Sequence, residues 1–179
     1  DRVSEVEAML SIAAQENSVV IIGGSTPFPA TDGRVTNTCL VFDESGQRIG
    51  RYDKIHLFDA SVSSSESYCE SRHIAPGETP LALSALDLMM GITICYDMRF
   101  PELYRRLAEA GAELFSVPSA FTVPTGRAHW HTLLRARAIE NLAWVIAPAQ
   151  VGEHPSGRRT FGHSLIIDPW GEIVAECAA

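Results

Sequence analysis

Lysine is almost missing from this chain: of its 14 basic residues, 13 are arginine and one, Lys54, is lysine. Codon bias alone produces such a skew, but it leaves one position where a compact ammonium was kept, and an ammonium is not interchangeable with a guanidinium. Basic charge is short as a whole, with a formal net charge of −8 and a pI near 5.2. Nucleic-acid-binding domains carry a basic patch or stripe, so no nucleic acid is expected as a partner, and small molecules fit better. No apolar run approaches bilayer-spanning length, and the N-terminal DRVSEVEAML is charged and amphipathic rather than a signal peptide; a membrane partner is not expected either. The four cysteines, Cys39, Cys69, Cys95 and Cys177, form no CxxC pair and no small secreted scaffold. Separate thiols of this kind belong to a reducing compartment, which predicts a cytoplasmic protein.

Repeats, linkers and low-complexity segments are also lacking. With 46% hydrophobic and 20% charged residues in 179, the chain has the make-up of one globular domain over residues 1–179. Val3, Val6, Leu10 and Ala13 recur at helical spacing, predicting a helix over 4–16 that feeds the β-branched run SVVIIGG. Two strand-like runs flank DESGQ, a glycine-bearing hairpin signal, and Lys54 lies near the end of the second. Residues 59–80 are polar, Ser-rich and punctuated by Pro76, Gly77 and Pro80, which predicts a long active-site loop. Beyond it come a strand over DLMMGITIC, a helix from Pro101 to Ala110, a buried strand in AELFSVPSA, a helix over 127–141, the strand AWVIAPAQ and a hairpin turning at DPWG. Helices alternating with both buried and hairpin-joined strands mean an α/β fold with a mixed sheet.

Cys95 closes an apolar run and passes at once into YDMRFPE, where Pro101 and Glu102 open a helix. Strand, turn and helix in that order are how α/β folds expose a reactive side chain, so Cys95 is either a strand-end core thiol or a nucleophile. A nucleophilic cysteine needs a cation or helix N-terminus to favour its thiolate and donors for the oxyanion it creates. The helix behind Cys95 and the Tyr96 N–H are candidates for both roles. Lys54 is a second candidate cation, against the ordinary reading of a solvated strand-end lysine. Glu70, in the Ser-rich loop, is by default a solvated carboxylate.

Taken together, the blocks RYDKIHLF, CES, GITICYDMRFPELYR, AHWHTLLRARAIEN and GHSLIIDPWGEIVAE closely resemble the nitrilase superfamily of carbon–nitrogen hydrolases, and its ω-amidase-like branch most. The resemblance runs from the first helix to the last residue. It implies a four-layer α-β-β-α sandwich with mixed sheets, incomplete at both ends of this chain, and assembly as a homodimer or higher homo-oligomer. Carried over by position, the nucleophile is Cys95, the oxyanion-stabilising lysine is Lys54, the loop-borne glutamate is Glu70, and Tyr96 and Arg99 line the same site. The family's general-base glutamate falls N-terminal to residue 1.

The activity this implies is hydrolysis of a linear ω-amide of a small carboxylate or keto acid, deaminated glutathione among them, through a cysteine thioester and without metal or organic cofactor. Amidohydrolysis of an N-carbamoyl amino acid or β-ureido acid, and a non-catalytic relative, are the alternatives. His129 and His131 stand two apart on a predicted helix, where they face different ways, so they make no helical metal pair. Arg135 and Arg137 beside Glu140 read as structural, Arg158 and Arg159 as a short solvated basic loop, and Trp130, Trp144 and Trp170 as core or turn-packing residues.

Overall fold

The structure, a computed structural model, describes residues 2–62, 67–155 and 157–178. Helix α1 (Arg2–Asn17) leads into β1 (Ile21–Ile22), β2 (Thr26–Pro29), β3 (Val35–Phe42) and β4 (Arg48–Asp53). β3 is the spine of this first sheet. It pairs antiparallel with β1 and β2 and, on its opposite edge, with β4 antiparallel and β7 (Ile74–Ala75) parallel. The period-2 rule of a strand decides what its sides do. Leu40 and Phe42 pack with Ala14, Leu10 and Val3 of α1, while Cys39 and Val41 point the other way into a core shared with the second sheet.

That second sheet runs in the order β15-β14-β11-β10-β9-β8, from β8 (Leu81–Ala85), β9 (Leu88–Ile92), β10 (Leu114–Ser116), β11 (Trp144–Ala147), β14 (Leu165–Ile167) and β15 (Ile173–Glu176). β10 is parallel to β9 and β11, and the outer pairs are antiparallel. Met90, Ile92 and Leu114 meet Cys39, Val41 and Tyr52 between the sheets. The far face is covered by α2 (Pro101–Glu109) and α3 (Val123–Asn141), whose Leu103, Leu107, Trp130 and Leu134 enclose Phe115, Val145 and Ile167. Helix, sheet, sheet, helix is the predicted four-layer order with mixed sheets. Two small hairpins, β5 (Asp59–Ser61) with β6 (Ser67–Cys69) and β12 (Val151–Glu153) with β13 (Arg159–Phe161), stand beside these layers.

Several boundaries differ from expectation. The run SVVIIGG supplies only Ile21 and Ile22 to the sheet, because Val19 is exposed and Gly24 turns at positive φ. The expected long loop over 59–80 contains β5, β6, a 3₁₀ turn at Glu70–Arg72 and β7; its residues 63–66 lie outside the described residues. β8 was not anticipated. It joins β9 through a two-residue turn, Leu86-Asp87, with both residues at positive φ (52° and 58°), the type I′ geometry that usually signals itself by Asn-Gly. Trp130 is buried as expected, whereas Trp144 is 40% and Trp170 81% exposed.

Candidate active site

Cys95 lies past the formal end of β9, but the backbone still follows the sheet: Thr93 N–H donates to Ser116 C=O and Cys95 N–H to Pro118 C=O, both at 3.0 Å. A 3₁₀ helix, Cys95–Arg99, then intervenes before α2 starts at Pro101, so α2 does not begin directly behind the thiol. Cys95 itself adopts φ +50°, a left-handed conformation that costs a side-chain-bearing residue about 1–2 kcal/mol. Such conformations persist where surrounding structure over-determines them, and they gather at functional sites. Here the preceding two strand-like bonds and the following turn enforce it.

Lys54 is buried, 2% exposed, which overturns the solvated reading. Its Nζ lies 2.5 Å from Glu70 Oε2, an oxygen that also accepts the Phe58 N–H at 2.6 Å. Glu70 Oε1 accepts from Asn37 Nδ2 at 3.3 Å. A buried ammonium without a counter-charge would shed its proton; this carboxylate favours the charged form. The backbone of Lys54 is held on both sides, its N–H donating to Asn37 C=O and its C=O accepting from Gly77 N–H, at 2.9 and 2.8 Å. Gly77 is obligatory in that contact, since a Cβ there would sit 2.0 Å from the Asp53 carbonyl oxygen. The Pro-Gly punctuation of the sequence is thus the seat of the lysine.

What couples the lysine segment to the cysteine turn is Asp97, two residues past Cys95 and fully buried. Its Oδ1 accepts from His56 N–H at 3.0 Å and pairs with His56 Nδ1 at 2.8 Å; its Oδ2 accepts from Tyr52 O–H at 2.7 Å and Ile94 N–H at 2.9 Å. Tyr52 and His56 bracket Lys54. Burial, then the neighbouring Asp97 charge, pushes the Tyr52 hydroxyl far above its ordinary pKa, so it remains a donor at every working pH. Sequence reading missed this role, for the partners stand 41 to 45 residues apart.

Lys54, Glu70 and Cys95 line one cavity of about 750 Å³, together with Phe58, Tyr68, Ser119, Gln150, Arg158 and Ser164. Tyr96 and Arg99 lie along a narrower crevice that also reaches Cys95, Phe58 and Arg158. The Tyr96 ring is 5.0 Å from Phe58 and 5.6 Å from Phe100, and the Arg99 guanidinium lies over Tyr96 at 5.6 Å with Nη2 3.2 Å from His129 Nδ1. Arg158 is not the solvated loop residue expected. It is half-buried, donates Nη2 to Ala120 C=O, covers the Tyr68 ring at 5.4 Å, and its buried Nε has no partner among the described residues. Arg135 and Arg137 are structural as read: Arg137 bonds Met98 C=O and Glu140, and Arg135 bonds Gly171 C=O.

A strand-end thiol on a strained turn, a buried ammonium and its carboxylate in one cleft define a hydrolase-type site, and the layered fold is that of one class. The carbon–nitrogen hydrolase family model matches residues 2–179, and the chain belongs to that family, the nitrilase superfamily. It is 47% identical over 174 residues to the deaminated glutathione amidase of Synechocystis sp. (strain PCC 6803 / GT-S), an alignment covering 95% of this chain and 64% of that protein. Among solved structures it is similar to Saccharomyces cerevisiae Nit3, a member of branch 10 of the superfamily, with TM-score 0.87, 35% identity, and coverage of 97% of this chain and 61% of that one. It is also similar to an amidase from Nesterenkonia sp. AN1, with TM-score 0.82, 28% identity, and coverage of 96% and 64%; acrylamide adds to the active-site cysteine of that enzyme. The chain therefore spans a little under two thirds of these relatives.

Proposed function

We propose that the protein hydrolyses the ω-amide of a small carboxylate or keto acid, a deaminated glutathione-like substrate, to the carboxylate and ammonia. The observation that carries this reading is the convergence of Cys95 with the buried Lys54–Glu70 pair on one cavity. Cys95 Sγ attacks the amide carbonyl, and the tetrahedral oxyanion is met by the Lys54 ammonium and the Tyr96 N–H. Collapse expels ammonia and leaves a thioester, which water cleaves to the acid and the free thiol. Glu70 keeps Lys54 charged and aimed; its carboxylate is taken up by Lys54, Phe58 N–H and Asn37. The general base, by the family resemblance, is a glutamate N-terminal to residue 1.

For the substrate's carboxylate, Arg158 and Arg99 are the cations at hand. Arg158 is favoured by its unpartnered Nε in the cavity wall, since a buried donor without an acceptor is destabilised by about 1–3 kcal/mol and regains that on meeting one. The fold's family supports a homodimer or larger homo-oligomer, and the unpaired cysteines a cytoplasmic location; light scattering tests the first. The function is tested by brief incubation of the full encoded protein with α-ketoglutaramate or deaminated glutathione, acid quench and mass analysis of the Cys95 peptide. An acyl adduct with ammonia release is expected. Release of carbon dioxide with ammonia from an N-carbamoyl amino acid, and none from the ω-amides, would replace the substrate class; undiminished turnover by Cys95→Ser would overturn the mechanism.

A further inference from the structure

Along the sequence, His131 has only His129 nearby, and the two face different ways. In space it meets other partners. His131 on α3, His163 just before β14 and Glu176 on β15 bring one ligand atom each to within 4.8 Å of one another. Glu176 Oε1 lies 2.9 Å from His131 Nε2 and 2.6 Å from His163 Nδ1. We propose that these three side chains bind a divalent transition-metal ion of the zinc class, a site separate from the hydrolytic cavity and independent of its chemistry.

The donor set favours such an ion. Two imidazole nitrogens and one carboxylate oxygen suit zinc and its neighbours, not magnesium or calcium, which prefer oxygen ligands throughout. With metal–ligand bonds of about 2.0–2.1 Å, tetrahedral ligand atoms lie about 3.3 Å apart, so the two measured separations need to open by only a few tenths of an ångström. The rings are fixed by packing. Phe161 stacks on His163 at 4.3 Å and meets His131 edge-on at 6.1 Å. The backbone C=O of His163 accepts the Trp130 indole N–H at 2.8 Å. Supporting contacts of this kind orient metal-binding imidazoles. The side chains of His131, His163 and Glu176 keep 34%, 27% and 31% of their surface exposed, which leaves an ion a way in and room for water as fourth ligand. Arg127 and Arg159 line the crevice on the His163 side and disfavour a second cation there. A bound ion would tie α3 to β15 through the residue next to Ser164, which lines the hydrolytic cavity.

The competing arrangement is a carboxylate simply hydrogen-bonded between two imidazoles. To separate them, the full chain is stripped with chelator and titrated with Zn²⁺ by calorimetry, and with Co²⁺ by visible absorption. One equivalent should bind, with cobalt bands of a nitrogen- and oxygen-ligated ion, a rise in melting temperature, and a loss of affinity of tenfold or more in both His131→Ala and Glu176→Gln. Glu176 is exposed, so Glu176→Gln leaves the core intact and carries the test if His131→Ala folds poorly. His129→Ala should bind like the parent. Absence of stoichiometric binding, or binding that Glu176→Gln leaves unchanged, would overturn the proposal and leave only the hydrogen-bonded clamp.

Discussion

Replacing Asp97 should damage both the fold and the reactivity of a cysteine it never touches through a listed substrate contact. In Asp97→Ala, the Tyr52 hydroxyl, the His56 N–H and the Ile94 N–H lose their acceptor, and Tyr52 and Ile94 are each 1% exposed. Hydrogen bonds to a charged acceptor are worth about 1.5–3 kcal/mol each, and stranded donors add a desolvation penalty. Relaxation and water entry return part of that, so a net loss of about 3–5 kcal/mol, typical of a broken buried charge network, is expected. With a urea m-value of about 1–3 kcal/mol/M, the unfolding midpoint should fall by at least about 1 M with m unchanged. Asp97→Asn keeps the shape but presents an amide NH₂ to at least one donor, and should lose about half as much. A second readout is needed because many core substitutions destabilise. Asp97 joins Tyr52 and His56, on either side of Lys54, to the turn that bears Cys95, so the rate of acrylamide addition to Cys95 in the folded Asp97→Asn protein should drop. A loss below about 1 kcal/mol together with an unchanged addition rate would refute the idea that Asp97 positions the site.

Arg158→Leu should raise KM for an ω-amide bearing a carboxylate by about tenfold to a hundredfold, the worth of one or two charge-assisted bonds, while a neutral amide of the same length is little affected; equal losses on both would refute a carboxylate-binding role. Burial pushes the Cys39 thiol up to about 12 from its ordinary 9.0. A folded-state value above the unfolded one gives stability that is complete below about 9 and lost as pH rises toward 12, so the urea midpoint of the parent should fall between pH 8 and 10.5 by more than that of Cys39→Ala. Equal falls would show that Cys39 ionisation contributes nothing.

Cys95 was legible because its signal is local: apolar run, polar turn, proline-led helix. The 3₁₀ turn that separates it from α2 was not, since five residues of turn and five of helix start look alike without their hydrogen bonds. Lys54 read as solvated on its own segment, and its burial depends on Glu70, 16 residues on, and on Gly77 beyond that. Asp97 shows the same limit more sharply, its acceptor role resting on two elements far back in the chain. Polarity misled in the 59–80 region, where serine-rich composition hid short pairing strands, and at Arg158, where a basic loop folds back over Tyr68. The β8–β9 turn carried no glycine to announce it. Layer order was readable throughout, because Leu40, Phe42, Cys39 and Val41 alternate as a strand between two cores must.

The single lysine offers an experimental handle. Within these 179 residues, an amine-directed reagent has one side chain to modify besides the α-amino group, and that side chain is shut inside the cleft. Its acylation or reductive methylation therefore reports how often the cleft opens, not how much surface the protein presents. An isotopically labelled methyl group placed there would give one resonance, at the point where the Glu70 carboxylate, the Cys95 turn and any bound amide meet.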